Sequence, residues 1–451
     1  MAGLAAARDL LRRGLGGASR LPSAVAQALR GRFLRDVAIV GLGTAAAQAI
    51  SLLAAPLLTR LYAPEQFGLF ATITTVSATI GMVVCLKYET GILLAPDDDR
   101  ATAAALASIA VALTVTALLT LAAVPLLLAF GGDGRHVTVL AWSLPLALVG
   151  GLSYVGNAWA TRRRRFTSLA AYQLARGFGG VALQLMFALL ALGAVGLIAG
   201  QALGQLAGLL VLLVPMARDL AKHSPVGRSA MAMQRALQEH RALAAYSAPQ
   251  TLIHALADSL PILTLGAAFT VAEAGWFWLA QRILMLPSLL VAESLRSVFF
   301  QRLSELRRAG SDVFGLFGRT TAGLAALGAP VVLVLFLVGP DIFALAFGEA
   351  WRAAGHYARI LAPAWWMQFA AVPSSVMFQV LGRQRAFLFF DTIMFIGAAV
   401  ALGTGVLVGD AWTAVALYVG AIVLGHFAQI AYIMRAMLQE RRGATPLPQP
   451  K

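Results

Sequence analysis

The chain has 451 residues, of which 59% are hydrophobic and only 12% charged, and its formal net charge is +15. Soluble globular domains carry roughly 25% charged residues, so this composition excludes a set of ordinary soluble domains. Long apolar runs recur along the sequence. A helix needs about 20 such residues to cross a hydrocarbon core of about 30 Å. The sequence therefore predicts an all-α polytopic membrane protein.

The predicted elements begin with a basic tail at 1–36, which contains arginines but no apolar signal-peptide core, so we expect it to stay in the cytoplasm. A polar segment at 217–244 divides the spans into an N-lobe (37–216) and a C-lobe (245–434), and 435–451 form a second tail. Prolines inside spans 3, 4 and 10 are expected to kink their helices. The twelve predicted transmembrane spans are 37–58, 67–88, 102–130, 137–160, 168–191, 194–216, 245–269, 275–299, 314–338, 357–381, 386–408 and 411–434.

The distribution of basic residues predicts the orientation, because cytoplasmic loops are enriched in Lys and Arg. With the N-terminus inside, 27 Lys and Arg lie on the cytoplasmic side, and only Arg60, Arg135, Arg352 and Arg359 lie outside. Both termini are therefore predicted to be cytoplasmic. The acidic run 97–99 runs against this trend, and the longest exterior loop is expected at 339–356. Five tryptophans near exterior span edges predict an interfacial aromatic belt: Trp142, Trp276, Trp278, Trp351 and Trp412.

The two lobes share a short sequence pattern. Span 1 ends in a Pro-Leu-Leu-Thr stretch at 56–59 and is followed by Gly68, while span 7 ends in Pro-Ile-Leu-Thr at 261–264 and is followed by Gly275. Six spans in each lobe would make such a repeat parallel, related by an axis along the membrane normal. Paired lobes around a central site are typical of secondary transporters.

Ionisable residues inside spans are the candidate functional residues, because they cost several kcal/mol unless they face a cavity or a partner. Span 8 places Arg282, Glu293 and Arg296 on one helical face, and span 7 carries His254 and Asp258 in a polar stripe. For each residue a structural ion pair is the alternative, including a pair between Asp258 and Arg282. The candidates for binding an anionic substrate are Arg282, Arg176, Arg296, Lys87 and Arg319. The candidates for ion coupling or structural pairing are Asp258, His254, Glu293, Glu89 and Asp391.

Enzyme and metal-site motifs are missing from the sequence. There is no nucleotide-binding Gly-rich loop and no HExxH, and the single cysteine, Cys85, excludes an intramolecular disulfide and a thiolate cluster. No cofactor is therefore predicted, and coupling to H⁺ or Na⁺ through Asp258 remains an open alternative.

Three blocks of the sequence resemble the oligosaccharide flippases of the multidrug/oligosaccharidyl-lipid/polysaccharide exporter superfamily. They are PLLTRLYAPEQFGLFA (56–71) with KYETGILLAPDDD (87–99), WFWLAQRILMLPSLLVAESLRSVFFQRLSE (276–305) and GEAWRAAGHYARILAP (348–363). The resemblance implies two six-helix lobes around a cationic cavity. It also implies transfer of undecaprenyl-pyrophosphate-linked repeat units across the bacterial cytoplasmic (inner) membrane for surface polysaccharide synthesis.

The resemblance also implies partners. They are the lipid-linked oligosaccharide and membrane lipids, with a polysaccharide polymerase and a chain-length regulator as further candidates, and no nucleic acid. A multidrug or cation exporter of the same superfamily is one alternative, although buried arginines disfavour it. A membrane-bound polysaccharide-assembly enzyme is another, although the predicted exterior loops are short. A scaffold role is the third.

Overall fold

The computed structural model describes residues 23–129, 134–222, 227, 229–308 and 313–442, and these residues form α-helices joined by short connections. Side chains are described for most of them, and the main exceptions are 23–34, 36–38 and 286–298. The helices, numbered here in chain order, are α1 (Ser23–Leu61), α2 (Pro64–Gly81), α3 (Glu89–Leu94), α4 (Asp98–Ala129), α5 (Gly134–Arg162), α6 (Phe166–Leu189), α7 (Gly193–Lys222), α8 (Ala230–Glu239), α9 (Ala248–Ala268), α10 (Val271–Arg308), α11 (Val313–Phe347), α12 (Arg352–Ala370), α13 (Val372–Val380), α14 (Gln384–Val408) and α15 (Ala411–Arg442).

Each predicted span coincides with one of these helices or a pair of them, which confirms the all-α polytopic fold. Within the described residues, eight helices are long and apolar enough to cross a membrane by length and composition. The other four predicted spans correspond to α2 with the turn that follows it, to α6, to α10, and to α12 with α13. Of these, α6 contains Arg176, α10 contains Arg282 and Arg296, and the other two are interrupted by a break.

The second predicted span is broken near the end that the loop charges predict to be cytoplasmic. Helix α2 ends at Gly81 and α3 begins at Glu89, and between them Leu86 and Lys87 have φ angles of 49° and 63°. Non-glycine residues rarely adopt this left-handed conformation, so the sequence pattern gave no sign of the break. The turn sets Lys87 and Glu89 off the axis of α2.

Two expectations about the tenth span and the loop before it are wrong. Pro363 lies inside α12 as predicted, but Pro373 lies in the first turn of α13, where its missing N–H costs no helical hydrogen bond. The stretch 339–356 is not a long exterior loop. Helix α11 continues to Phe347, and only a short turn around Glu349–Trp351 separates it from α12.

The acidic run 97–99 packs against the arginines that follow the fourth span. Asp98 accepts hydrogen bonds from Arg162 (3.3 Å) and Arg163 (3.0 Å), and Arg162 also donates to the carbonyl of Ala95 at 2.6 Å. The second and fourth connections therefore lie at the same end of the helices. This contact places the acidic run at the basic end that the loop charges predict to be cytoplasmic.

The two lobes meet through α2 and α10 in a reciprocal contact. A Cβ atom on Gly68 would collide with the carbonyl oxygen of Val271, and one on Gly275 would collide with that of Pro64. Pro64 and Val271 are the first residues of their helices, and each lies four positions before the glycine of its own helix. The glycines of the two matched sequence blocks therefore occupy equivalent places in one contact, as a parallel repeat requires. Any side chain at either position would push the lobes apart.

Candidate functional site

A cavity of about 350 Å³ lies in the N-lobe and is completed by one helix of the C-lobe. Helices α1, α2, α6 and α7 form most of its wall, and α10 contributes the rest. Its polar and charged lining residues are Gln48, Ser51, Thr74, Thr75, Gln173, Arg176, Gln184, Gln201, Gln205 and Arg282. No Asp or Glu of the described residues lines it, so its only charges are the two guanidinium groups.

Arg282 and Arg176 both lie on this wall, and both side chains keep surface open to the cavity. The Arg282 guanidinium lies 5.1 Å from the ring centroid of Trp278, one helical turn earlier in α10. Arg176 Nη1 donates a 3.3 Å hydrogen bond to the hydroxyl of Tyr172. In the described part of the chain, neither arginine has a carboxylate within ion-pair distance. Two cations without a carboxylate partner can accept an anion from solution or lipid.

The position of Arg176 depends on small residues in α6. Gly177 lies against Ala47 of α1, and Gly180 lies so close to Gly204 of α7 that a Cβ on Gly204 would be 2.5 Å from the Cα of Gly180. Close packing of α6 between its two neighbours holds Arg176 at the cavity wall. Gly177 and Gly180, both in the fifth predicted span, allow this close packing because they have no side chain.

A second cavity, of about 340 Å³, lies between the lobes and is lined by both Arg282 and Asp258. These two side chains share the cavity without forming an ion pair, so the described structure does not contain the predicted alternative of an Asp258–Arg282 salt bridge. Beside them, the hydroxyls of Thr79 in α2 and Ser259 in α9 are 2.6 Å apart and join the two lobes.

A third cavity, of about 550 Å³, lies within the C-lobe. Asp258, Asp391 and His254 line it, as do two residues that the sequence analysis did not single out, His426 and Gln429. Gln429 Nε2 donates to Asp391 Oδ1 at 3.1 Å, and His426 Nδ1 lies 2.9 Å from the carbonyl oxygen of Ile422. No Lys or Arg of the described residues lines this cavity. Its charge is therefore opposite to that of the N-lobe cavity.

Three of the remaining candidates, Lys87, Glu89 and Arg319, line none of these cavities. Lys87 Nζ is 3.6 Å from Glu89 Oε1 and 5.9 Å from the ring centroid of Tyr154, at the break after α2. Arg319 is exposed, and its Nε donates to the carbonyl of Gly315 in its own helix at 3.2 Å. The side chains of Glu293 and Arg296 lie outside the described residues. The predicted roles of these five residues stay predictions.

The predicted aromatic belt is wrong for two of its five tryptophans. Trp351 is fully buried, and Trp278 faces the N-lobe cavity. Trp412 is half-buried and stacks on Tyr357 with 4.4 Å between ring centroids. Proximity to a span edge in the sequence does not distinguish a lipid-facing tryptophan from one that packs between helices.

Similarity to solved structures supports the fold. A structure described as the lipid II flippase MurJ in an inward closed conformation aligns with a TM-score of 0.67 and 11% identity, covering 88% of this chain and 87% of that one. An inward-facing multidrug resistance MATE family transporter of the MOP superfamily aligns with a TM-score of 0.63 and 17% identity, covering 88% of this chain and 96% of that one. The expected exporter-superfamily fold is confirmed.

A relative with a similar sequence is the succinoglycan biosynthesis transport protein ExoT of Rhizobium meliloti (strain 1021), which is 24% identical over 302 residues. The match covers 62% of this chain and 58% of ExoT, so it spans less than two thirds of the relative. ExoT is described as a transport protein and the two solved structures as a flippase and a transporter, in line with the expectation of a transporter rather than an enzyme. The family model described as "polysaccharide biosynthesis protein" matches residues 57–355, and the chain belongs to that family.

Proposed function

We propose that this protein is a flippase for undecaprenyl-pyrophosphate-linked oligosaccharide repeat units. It transfers them from the inner to the outer leaflet of the bacterial cytoplasmic membrane by alternating access. The observation that carries the proposal is the pair of exposed arginines, Arg176 and Arg282, in a cavity without acidic lining residues. The family membership and the ExoT match support a polysaccharide precursor as the cargo.

The pyrophosphate is the part of such a substrate that needs a protein path. It carries two or more negative charges, and a charge in a low-dielectric slab of about 30 Å is strongly disfavoured. Guanidinium groups bind phosphate oxygens through paired hydrogen bonds, so Arg176 and Arg282 would replace the water that the head group loses. The lipid tail would remain in the bilayer, beside a gap between the lobes.

The C-lobe cavity is the proposed place of energy coupling. Asp258 and Asp391 can each take up a proton or contribute oxygen ligands to Na⁺, and His254 and His426 line the same space. Asp258 lines both this cavity and the inter-lobe cavity that contains Arg282. Ion occupancy at Asp258 would therefore alter the electric field at the substrate arginine.

The acidic and partly aromatic C-lobe cavity also favours a second candidate, an exporter of organic cations. Leaflet sidedness of lipid-linked oligosaccharide in cells depleted of this protein distinguishes the two. We expect the lipid-linked oligosaccharide to accumulate in the inner leaflet on depletion and to return to the outer leaflet when the wild-type gene is restored. Unchanged sidedness, with sensitivity to cationic drugs altered instead, would overturn the flippase proposal.

A further inference from the structure

Four aromatic side chains, Phe67, Phe70, Trp278 and Trp351, lie where the lobes meet at the predicted exterior end, and we call them the outer aromatic cluster. Phe67 packs edge-on against Trp351 with 5.0 Å between centroids, and Phe70 packs edge-on against Trp278 at 5.6 Å. Phe67 and Trp278 are 6.1 Å apart. Three of the four also line the N-lobe cavity. The cluster therefore separates the cavity from the exterior end.

Trp351 joins the two lobes through a buried hydrogen bond. It lies in the short turn between α11 and α12 of the C-lobe, and its Nε1 donates to the carbonyl of Thr59 in α1 of the N-lobe at 2.8 Å. Trp351 is fully buried and Thr59 is buried. Separation of the lobes at this end would break the bond, and the loss of its net stabilisation opposes opening.

Trp278 connects the outer aromatic cluster to the cation of the cavity. Its ring packs against Phe67 and Phe70, and the Arg282 guanidinium lies 5.1 Å from its centroid. A guanidinium over an indole ring is attracted by the negative face of the ring. An anion that binds Arg282 competes with the ring for that cation. The Trp278 side chain therefore responds to occupancy of the cavity by an anion.

We propose that Trp278 is a positioning residue that holds Arg282 in the empty cavity. When an anion binds, Trp278 releases Arg282 and weakens the latch, by which we mean the hydrogen bond between Trp351 and Thr59. The exterior end then opens more often in the loaded protein than in the empty one. The identity of the anion as a lipid pyrophosphate rests on the proposed function. The latch itself rests on the contacts of Trp351 alone.

Distances between spin labels across the exterior end test this proposal. In a Cys85→Ala background, Leu192→Cys in the N-lobe and Leu407→Cys in the C-lobe are exposed label sites, and the distance distribution gives the ratio of open to closed protein. The protein is measured in three sets of nanodiscs. The first contains no added polyprenyl lipid, the second contains undecaprenyl pyrophosphate, and the third contains neutral undecaprenol.

The latch is tested without any ligand. Trp351→Phe removes the donor to Thr59 but keeps a ring, and we expect the ratio of open to closed protein to rise roughly two- to tenfold, the effect of one hydrogen bond. Trp276→Phe is the matched control, because it removes an indole hydrogen bond to the carbonyl of Ala350 (3.0 Å) that lies within the C-lobe. An unchanged ratio in Trp351→Phe, or an equal rise in Trp276→Phe, would overturn the latch.

The transmission step is tested by the response to lipid. We expect undecaprenyl pyrophosphate, but not undecaprenol, to raise the open fraction of the parent protein. Trp278→Leu should lose this response, and Trp278→Phe should keep part of it, since a phenyl ring also attracts a guanidinium. A full response in Trp278→Leu, or no response in the parent protein, would contradict the proposed link between anion binding at Arg282 and opening of the exterior end. The flippase proposal fails in a separate measurement, leaflet sidedness, so the two failures are distinguishable.

Discussion

Reversing the charge of the cavity arginine, in Arg282→Glu, is expected to abolish translocation of a pyrophosphate-linked lipid. Two unit charges 4 Å apart interact by about 4 kcal/mol at an effective dielectric constant of 20, so the variant replaces an attraction of that size with a repulsion. The rate of transfer between leaflets should fall roughly a hundredfold or more. Quantification of inner- and outer-leaflet lipid-linked oligosaccharide in cells that express the variant measures this.

Two further variants control for charge and folding. Arg385→Glu makes the same change at an exposed residue that lines none of the three described cavities, and its transfer rate should stay close to the wild-type value. Arg282→Lys keeps the charge but loses the planar fork that pairs with phosphate, so an intermediate rate is expected. Normal transfer by a well-expressed Arg282→Glu protein would show that Arg282 does not bind the head group.

Removing the ionisable group at Asp258, in Asp258→Asn, is expected to uncouple transport from the ion gradient. Asparagine cannot gain or lose a proton and lacks the charge that holds Na⁺, while its size is almost unchanged. The rate driven by an imposed gradient should fall about tenfold or more, which corresponds to a barrier increase of about 1.4 kcal/mol. Uptake by vesicles under separate proton and sodium gradients measures the effect.

The response to each gradient decides the role of Asp258. Glu65→Gln, at an exposed position that lines none of the three described cavities, is the control and should leave both responses intact. If Asp258→Asn kept the wild-type dependence on both gradients, the coupling site would lie elsewhere, and Asp258 would be a polar wall residue. A selective loss of one response would also identify the coupling ion.

The helices were predictable because hydropathy is a local property of the sequence. The helices that contain the predicted spans and the equivalence of Gly68 and Gly275 both followed from short patterns. The breaks were less predictable. Nothing in the sequence around Leu86 and Lys87 indicates that these two residues leave the helix, because no glycine or proline marks the turn.

The cavity residues were only partly predictable, because contacts between helices that are distant in the sequence decide which side chains face a cavity. Arg282 and Asp258 could be singled out because burying a charge is costly. That they share a cavity without forming an ion pair is visible only from the arrangement of α9 and α10. His426 and Gln429 share one face of α15 three residues apart, and that spacing was the available signal. The role of Trp351 had no local signal, since its partner Thr59 is 292 residues away.

Translocation by the purified protein tests the central claim most directly. Proteoliposomes containing a fluorescent undecaprenyl-pyrophosphoryl sugar are treated with an impermeant quencher, which reports the fraction of lipid in the outer leaflet over time. The wild-type protein should make the inner-leaflet pool accessible to the quencher, and a protein carrying Arg176→Glu together with Arg282→Glu should leave it protected, as in protein-free liposomes. Equal accessibility with the wild-type and doubly reversed proteins, or no transfer by the wild type, would contradict a flippase with a cationic path.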